Sequence, residues 1–196
     1  FTQIDMELSF VDVEDILEIN EGLMKRVFKD VLGNDLETPF ERMTYTEAMN
    51  RFGSDKPDIR FGMEIQDVSD LVKDCDFGVF ASAIEAGGSV RAIVAKNSAA
   101  TLTRKEIDKL TEFVRGIGAK GLAFVRWLDD TPACSFAKFM KEGELEAILS
   151  KVGAEKGDVV LFVADKTSTV LSTLGALRLT VAKKLDIIPD EFKFLW

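Results

Sequence analysis

The chain opens on FTQIDMELSF, a run in which apolar and polar residues alternate. Ile4, Met6, Leu8 and Phe10 fall on one face, and Gln3, Asp5, Glu7 and Ser9 on the other, so the period of 2 predicts a half-buried strand. The period then changes to 3.6. Residues 12–33 predict an amphipathic helix capped by Asp12, with Ile16, Leu23, Val27 and Val31 recurring on one face and Gly33 at a left-handed exit. Thr44-Tyr45-Thr46-Glu47 has the form of a capping box ahead of a short helix that Gly53 stops. Residues 51–60 surround Gly53 and Pro57; the proline biases Lys56 away from helix, which predicts an ordered turn or an extended passage. Residues 65–73 predict a short strand and a helical turn.

Beyond residue 77 the pattern becomes denser in apolar residues. Residues 79–85 and 90–96 read as strands joined in a hairpin at Gly87-Gly88. Thr103-Arg104-Lys105-Glu106 starts a helix that places Ile107, Leu110, Val114 and Ile117 on one face. Residues 122–128 predict a strand and residues 135–140 a further short one. Leu145, Ile148, Leu149 and Val152 mark a short helix closed by Gly153. Residues 159–163 (VVLFV) predict a buried strand, after which Asp165 is placed to cap a long helix carrying Val170, Leu174, Leu177, Val181 and Leu185. Lys183 and Lys184 complement the dipole at its end. This order predicts an α+β fold, a mainly antiparallel sheet with helices packed on it. The closing run Phe192-Lys193-Phe194-Leu195-Trp196 is again strand-like. Two strands without sequence-adjacent partners predict a segment whose sheet is completed outside it; the alternative is that the two ends pair with each other.

Composition narrows the chemistry. The chain has 196 residues and no His, which excludes His-based triads, His metal sites and His acid–base catalysis. Two cysteines, Cys75 and Cys134, are too few for a Cys-only zinc site or a disulfide framework. The net charge is -9. Residues 1–80 carry 8 Lys+Arg against 19 Asp+Glu, and residues 81–196 carry 17 against 15, so the acidity lies in the first part. That balance argues against a free-standing nucleic-acid binder. No apolar run approaches the roughly 20 residues that span a bilayer, so no membrane partner is expected and a cytoplasmic protein fits.

Two places could carry chemistry. Gln3, Asp5 and Glu7 would stand in a row at about 7 Å steps on one sheet face, where a carboxylate can take an ammonium and an amide can orient a ligand. By spacing alone, a solvated strand face is the simpler explanation of the row. Ser54, Asp55 and Lys56, with Pro57 and Asp58, form a rigid charged turn that can contact a phosphate or a partner, or can be an ordinary turn with local ion pairs. Gly87-Gly88 lacks the spacing and the Lys-Ser/Thr of a phosphate loop. The basic residues of the helix after Thr103 alternate with Glu106, Asp108 and Glu112, as on a solvated face.

Taken as strings, FTQIDMELSFVDVEDI, RMTYTEAMNRFGSDKPDIRF, DVSDLVKDCDFGVF, LTRKEIDKLTEFVRGIGAKGLAFVRW and GDVVLFVADKTSTVLSTLGALRLTVAKKLDII closely resemble bacterial-type aspartyl-tRNA synthetase, in order, through to FKFLW. The resemblance implies residues 1–67 as the end of class II motif 2 and a connecting region of the catalytic domain, residues 68–188 as the GAD insertion domain, and residues 189–196 as a strand returning to the catalytic sheet. It implies an aspartate–tRNA ligase that uses ATP and Mg²⁺ to activate aspartate and transfers it to tRNA-Asp, as a homodimer in the cytoplasm. By resemblance, Asp5 receives the substrate ammonium and Gln3 lines the same aspartate pocket. The cations that grip ATP and the carboxylates for Mg²⁺ lie outside this span, so the segment alone is expected to bind no cofactor, to be inactive, and to bind tRNA weakly. The GAD domain would be an accessory near the tRNA acceptor end, with the Ser54, Asp55 and Lys56 turn structural or close to the tRNA. The family string often carries Tyr where Phe52 stands. The alternative reading is a stand-alone, non-catalytic α+β interaction or ligand-binding module.

Overall fold

The first helix starts where its cap stands. In α1, Val13–Leu32, the Asp12 carboxylate accepts from the N–H groups of Glu14 and Asp15, and the Asp15 side chain accepts in return from the Asp12 N–H. Gly33 closes the helix in the left-handed conformation, which costs a residue without Cβ nothing. This helix belongs to a unit made of residues 1–43 and 194–196. The computed structural model describes residues 1–196, and residues 44–193 form a second unit.

The first unit departs from the predicted pattern at its strands. Residues 1–8 have no regular secondary structure, and Phe1, Ile4 and Phe10 are exposed. Alternation states which side chains share a face, but a strand also needs a neighbour for its N–H and C=O groups. No segment of this chain pairs with residues 1–10. The closing run makes one parallel bridge, Leu195 with Glu41, with Trp196 N–H donating to the Glu41 carbonyl and Met43 N–H to the Trp196 carbonyl, both at 2.8 Å. The two ends do not pair with each other. What holds this unit is aromatic: the Phe194 ring lies 5.1 Å from Phe28 and 5.0 Å from Phe40. The buried Glu21 carboxylate ties them by accepting from Phe40 N–H at 3.0 Å and from Trp196 Nε1 at 2.8 Å.

The second unit begins with α2, Tyr45–Phe52, opened by a reciprocal box between Thr44 and Glu47 and closed by Gly53 in the left-handed conformation. There follow β1 (Gln66–Asp67), α3 (Ser69–Val72), α4 (Gly78–Glu85), β2 (Ser89–Ala95), α5 (Arg104–Gly116), β3 (Ala123–Arg126), β4 (Ala133–Cys134), a 3-10 turn (Ala137–Phe139), α6 (Glu144–Lys151), β5 (Val159–Asp165) and α7 (Thr167–Leu185). The strands form one sheet in the order β1-β2-β5-β3-β4, and every pair is antiparallel, as an α+β fold requires.

The continuous apolar run of β5 is explained by burial on both faces. Val159, Leu161 and Val163 pack with Ile93, with Ile107 and Val114 of α5, and with Val170, Leu174 and Val181 of α7. Val160 and Phe162 pack on the other side with Phe80 of α4, Ile148 of α6 and Phe136. A strand covered on both sides has no polar face left to alternate with.

Five local expectations are corrected. Residues 79–85 form helix α4 and not a strand, because a short apolar run carries no decisive period and Ala81 and Ala83 favour helix. Gly87 and Gly88 therefore make a helix exit rather than a hairpin, with Gly88 N–H donating to the Ala83 carbonyl at 2.9 Å. Gly88 also runs against β5, where a Cβ would stand 2.2 Å from the Asp165 carbonyl oxygen. The short strand placed at 135–140 is instead β4, two residues earlier, after which the chain turns so that Phe136 enters the core. Asp165 ends β5, and α7 starts at Thr167 with Lys166 at the N-cap and no side-chain cap. On α5, Ile117 lies beyond the helix end and is exposed, while Ile107, Leu110 and Val114 are buried.

Candidate functional site

The row at residues 3–7 is accessible but not assembled. Gln3 and Asp5 are exposed, belong to no strand, and make no hydrogen bond or ion pair with the rest of the chain. Both side chains are thus free to meet a ligand, and the spacing that a sheet would impose on them is not present.

The turn at residues 51–62 is built to a different standard. Ser54 Oγ accepts from Lys56 N–H at 3.0 Å, an arrangement that tightens the chain ahead of Pro57. The Asp58 carboxylate accepts from Arg60 N–H at 3.1 Å, from its Nε at 3.0 Å and from its Nη2 at 2.7 Å. The Arg60 guanidinium beside it holds the Asp58 carboxyl below the usual carboxylate range, and backbone donation adds to the effect. Arg51 makes the same fork with Glu64, at 2.9 and 2.8 Å.

At the centre stands Arg178, from the middle of α7, with 1% of its surface exposed. Its Nη2 donates to the carbonyls of Asp58 and Phe61 at 2.8 Å and of Gly62 at 2.9 Å. The guanidinium carbon lies 4.8 Å from the Phe52 ring centre and 4.0 Å from that of Phe61, so the cation is held between two aromatic faces. Burial pushes this side chain down to about 10, against the pull of Asp58 and Glu64, which leaves it charged at neutral pH. Turn carbonyls that would otherwise be stranded near the helix thus have a partner. Arg178 is the residue that pattern analysis passed over. The available signal was a single arginine inside the apolar stripe of Leu174, Leu177 and Val181.

The approach of the turn to α7 is close enough to demand glycine twice. A Cβ on Gly53 would stand 2.0 Å from the Leu171 carbonyl oxygen, and one on Gly175 would stand 2.7 Å from the Gly53 carbonyl oxygen. Between them is a cleft of about 260 Å³, lined by Ser54, Lys56 and Asp58 on the turn and by Ser172 and Arg178 on the helix. Asp55 and Lys56 are exposed beside it. The turn offers the exposed Lys56 ammonium and the Ser54 hydroxyl beside the paired Asp58 carboxylate. It offers no activated nucleophile.

Elsewhere the reactive groups are quiet. Burial pushes the Cys134 thiol up to about 11, and burial is also the main cause that raises Cys75. The flanking Asp76 adds only a smaller part. Three of the four cations of α5 are paired along the helix: Arg104 with Asp108, Lys109 with Glu106, and Arg115 with Glu112. No group of three or more His, Cys, Asp or Glu side chains is placed to hold a metal ion. No helix is long and apolar enough to cross a membrane.

The two-sided sheet with its covering helices corresponds to a recognised domain class. Residues 80–174, within the second unit, match the GAD domain, so the chain carries that domain. Over its whole length the chain is also similar to bacterial aspartate–tRNA ligases. It is 58% identical over 198 residues to the aspartate–tRNA ligase of Ruminiclostridium cellulolyticum, covering 100% of this chain and 33% of that protein. It is 56% identical over 197 residues to that of Clostridium botulinum (strain Kyoto / Type A2), with the same coverage. Against that of Clostridium novyi (strain NT) the identity is 54% over 198 residues, again covering 100% of this chain and 33% of the relative. The chain spans about a third of the length of the curated relatives it matches.

Proposed function

We propose that this chain is one third of an aspartate–tRNA ligase, and that the whole enzyme activates aspartate with ATP and transfers the aspartyl group to tRNA-Asp. The single observation that carries this reading is the 58% identity across the entire chain, including both ends, to a protein of that name. In this reading residues 1–67 belong to the catalytic domain, residues 68–188 to the GAD insertion, and residues 189–196 return to the catalytic sheet. The GAD part serves as an accessory near the tRNA acceptor end. The enzyme works in the cytoplasm as a homodimer.

Within that enzyme, Asp5 receives the ammonium of aspartate and Gln3 orients it in the same pocket. Their freedom from intramolecular partners supports the role, since a carboxylate already paired would have to break that pair to bind. The sheet that sets their spacing would be completed by strands from the rest of the enzyme. No group of three or more His, Cys, Asp or Glu side chains gathers in this chain, and we assign Mg²⁺ to carboxylates and ATP phosphates in the rest of the enzyme. ATP and Mg²⁺ would be held by the other two thirds, where they supply the activated phosphoryl chemistry. This chain contributes recognition of the amino acid, and a frame, the Ser54–Asp58 turn locked on Arg178, that leads into the inserted domain.

The test is a graft. The matched third of the Clostridium botulinum (strain Kyoto / Type A2) relative is replaced by this chain, and aspartate-dependent ATP–pyrophosphate exchange is measured. The graft should exchange, and the chain alone should not. Asp5→Asn in the graft should lower kcat/KM for aspartate by about 10-fold to 100-fold, the weight of a charge-assisted hydrogen bond. A folded graft without exchange, or one indifferent to Asp5→Asn, would overturn the reading.

A further inference from the structure

A second cavity, of about 640 Å³, opens in the inserted domain, lined from α4, from Thr111 and Arg115 of α5, from residues 120–123 and from the end of β5. Its floor is aromatic. Phe80 and Phe162 are fully buried beneath it, and Phe77 meets Phe80 edge-to-face with ring centres 4.8 Å apart and stacks on Phe136 at 5.5 Å. Leu122 and Val79 form walls, and Val79 is left 53% exposed although it lies on the helix that covers the core. An apolar concavity of this size, within the roughly 300–1,000 Å³ usual for small-molecule sites, stays costly to hydrate unless something fills it.

Its rim is charged, and mostly of one sign. Arg115, Lys120 and Lys166 line it, with Asp165 as the only carboxylate among the lining residues. Asp165 is already answered: its carboxylate accepts from Lys166 N–H at 2.7 Å and lies 3.7 Å from Lys120 Nζ. Arg115 is answered by Glu112 at 2.8 Å. The Lys166 ammonium makes no ion pair, and the Lys120 side chain is 80% exposed. A net positive rim is notable on a chain of net charge -9. A cation would be repelled here, and a neutral oil would leave the Lys166 ammonium without a counter-charge.

We infer that this cavity is a binding site for a compact amphiphilic anion, with its apolar body against Phe77, Val79 and Leu122 and one carboxylate, sulfonate or phosphate head at Lys120 and Lys166. The site uses no residue of the aspartate pocket and stands whether or not the ligase reading holds.

The experiment uses the full chain and two probes that share one body. 8-Anilinonaphthalene-1-sulfonate carries an anionic head, and N-phenyl-1-naphthylamine is the same framework without it. Fluorescence titration gives affinity, and amide NMR shifts give location. The sulfonate should bind more tightly than the amine and shift Gly78, Gly88, Gly121 and Ala164. The double variant Lys120→Ala, Lys166→Ala should weaken the sulfonate by about tenfold, the loss of a charge-assisted contact, and leave the amine unchanged. Ser82→Trp, an exposed position of α4 on the cavity wall, should abolish the binding of both. The lysines are exposed, so their removal leaves the fold intact. Shifts confined to residues 1–43, equal sulfonate affinity in the double variant, or undiminished binding to Ser82→Trp would each overturn the inference, as would failure of both probes to bind.

Discussion

In residues 1–43 with 194–196, the apolar side chains of Ile4, Phe10, Val13, Val31 and Leu32 are exposed, and Leu36 and Phe40 are the buried ones. In residues 44–193, by contrast, two clusters fill both sides of a five-stranded sheet, and side chains such as Phe80, Leu161 and Leu174 are fully buried. Both units nevertheless form the helices that their caps announce. A helix satisfies its backbone internally, so a good cap and period suffice for it. A strand depends on a neighbour, and the second unit supplies one within its own sequence while residues 1–10 find none in this chain.

That contrast can be broken or sharpened by substitution. The largest effect belongs to Arg178→Ala, which strands the carbonyls of Asp58, Phe61 and Gly62 and leaves a void between Phe52 and Phe61. It should cost about 3–5 kcal/mol of unfolding free energy by urea titration, and Arg178→Lys should recover only part, because an ammonium lacks the planar fork. An equal loss of signal from α1 would show that the two units do not unfold separately. Gly53→Ala comes next. A Cβ there meets the Leu171 carbonyl at 2.0 Å on a backbone at φ 68°, so the variant should lose about 2–3 kcal/mol.

Capping should treat the units alike. Asp12→Ala and Thr44→Ala should each cost about 1 kcal/mol, since a cap acts locally whatever the core around it. A cap effect confined to the second unit would contradict the equality. A smaller effect is set by pH. Glu106 accepts from Lys109 of its own helix and pairs with Lys184 of α7, and these bonds bring its carboxyl down to about 2 from an ordinary 4.5. A depressed carboxyl stabilises the fold above its unfolded value and loses that contribution as pH falls from about 4.5 through about 2. Glu106→Gln should therefore flatten the acid limb of thermal stability in that window and change nothing in its shape above it. Last, Asp5→Ala should shift stability by no more than about 0.5 kcal/mol, because the side chain touches nothing. A larger loss would mean that residues 1–10 are ordered by contacts that their exposure denies.

Much of the second unit could be read in advance from local signals. Thr44 with Glu47, the exits at Gly53 and Gly153, and the apolar stripes of α5 and α7 all act over a few residues. The misreadings share one cause. At residues 79–85 the run was too short to show a period, and at Gly87-Gly88 a turn signal did not reveal which elements it joined. The candidate site was legible in part. The Ser54–Asp58 turn stands out by its Pro, Gly and charges, but its anchor lies about 120 residues away in α7, and nothing local links them.

By itself the sequence determined helices α1, α2, α5, α6 and α7, the caps at Asp12, Thr44 and Thr103, and the burial of residues 159–163, because those follow from bonds and periods within a few residues. It also carried the likeness to the aspartate–tRNA ligases. Only the tertiary structure decided that Arg178 fastens the turn, that α4 is a helix over an aromatic cavity, and that the alternation of residues 1–10 does not become a strand in this chain. Each of these rests on partners distant in sequence, and a contact between distant residues leaves no period in either of them.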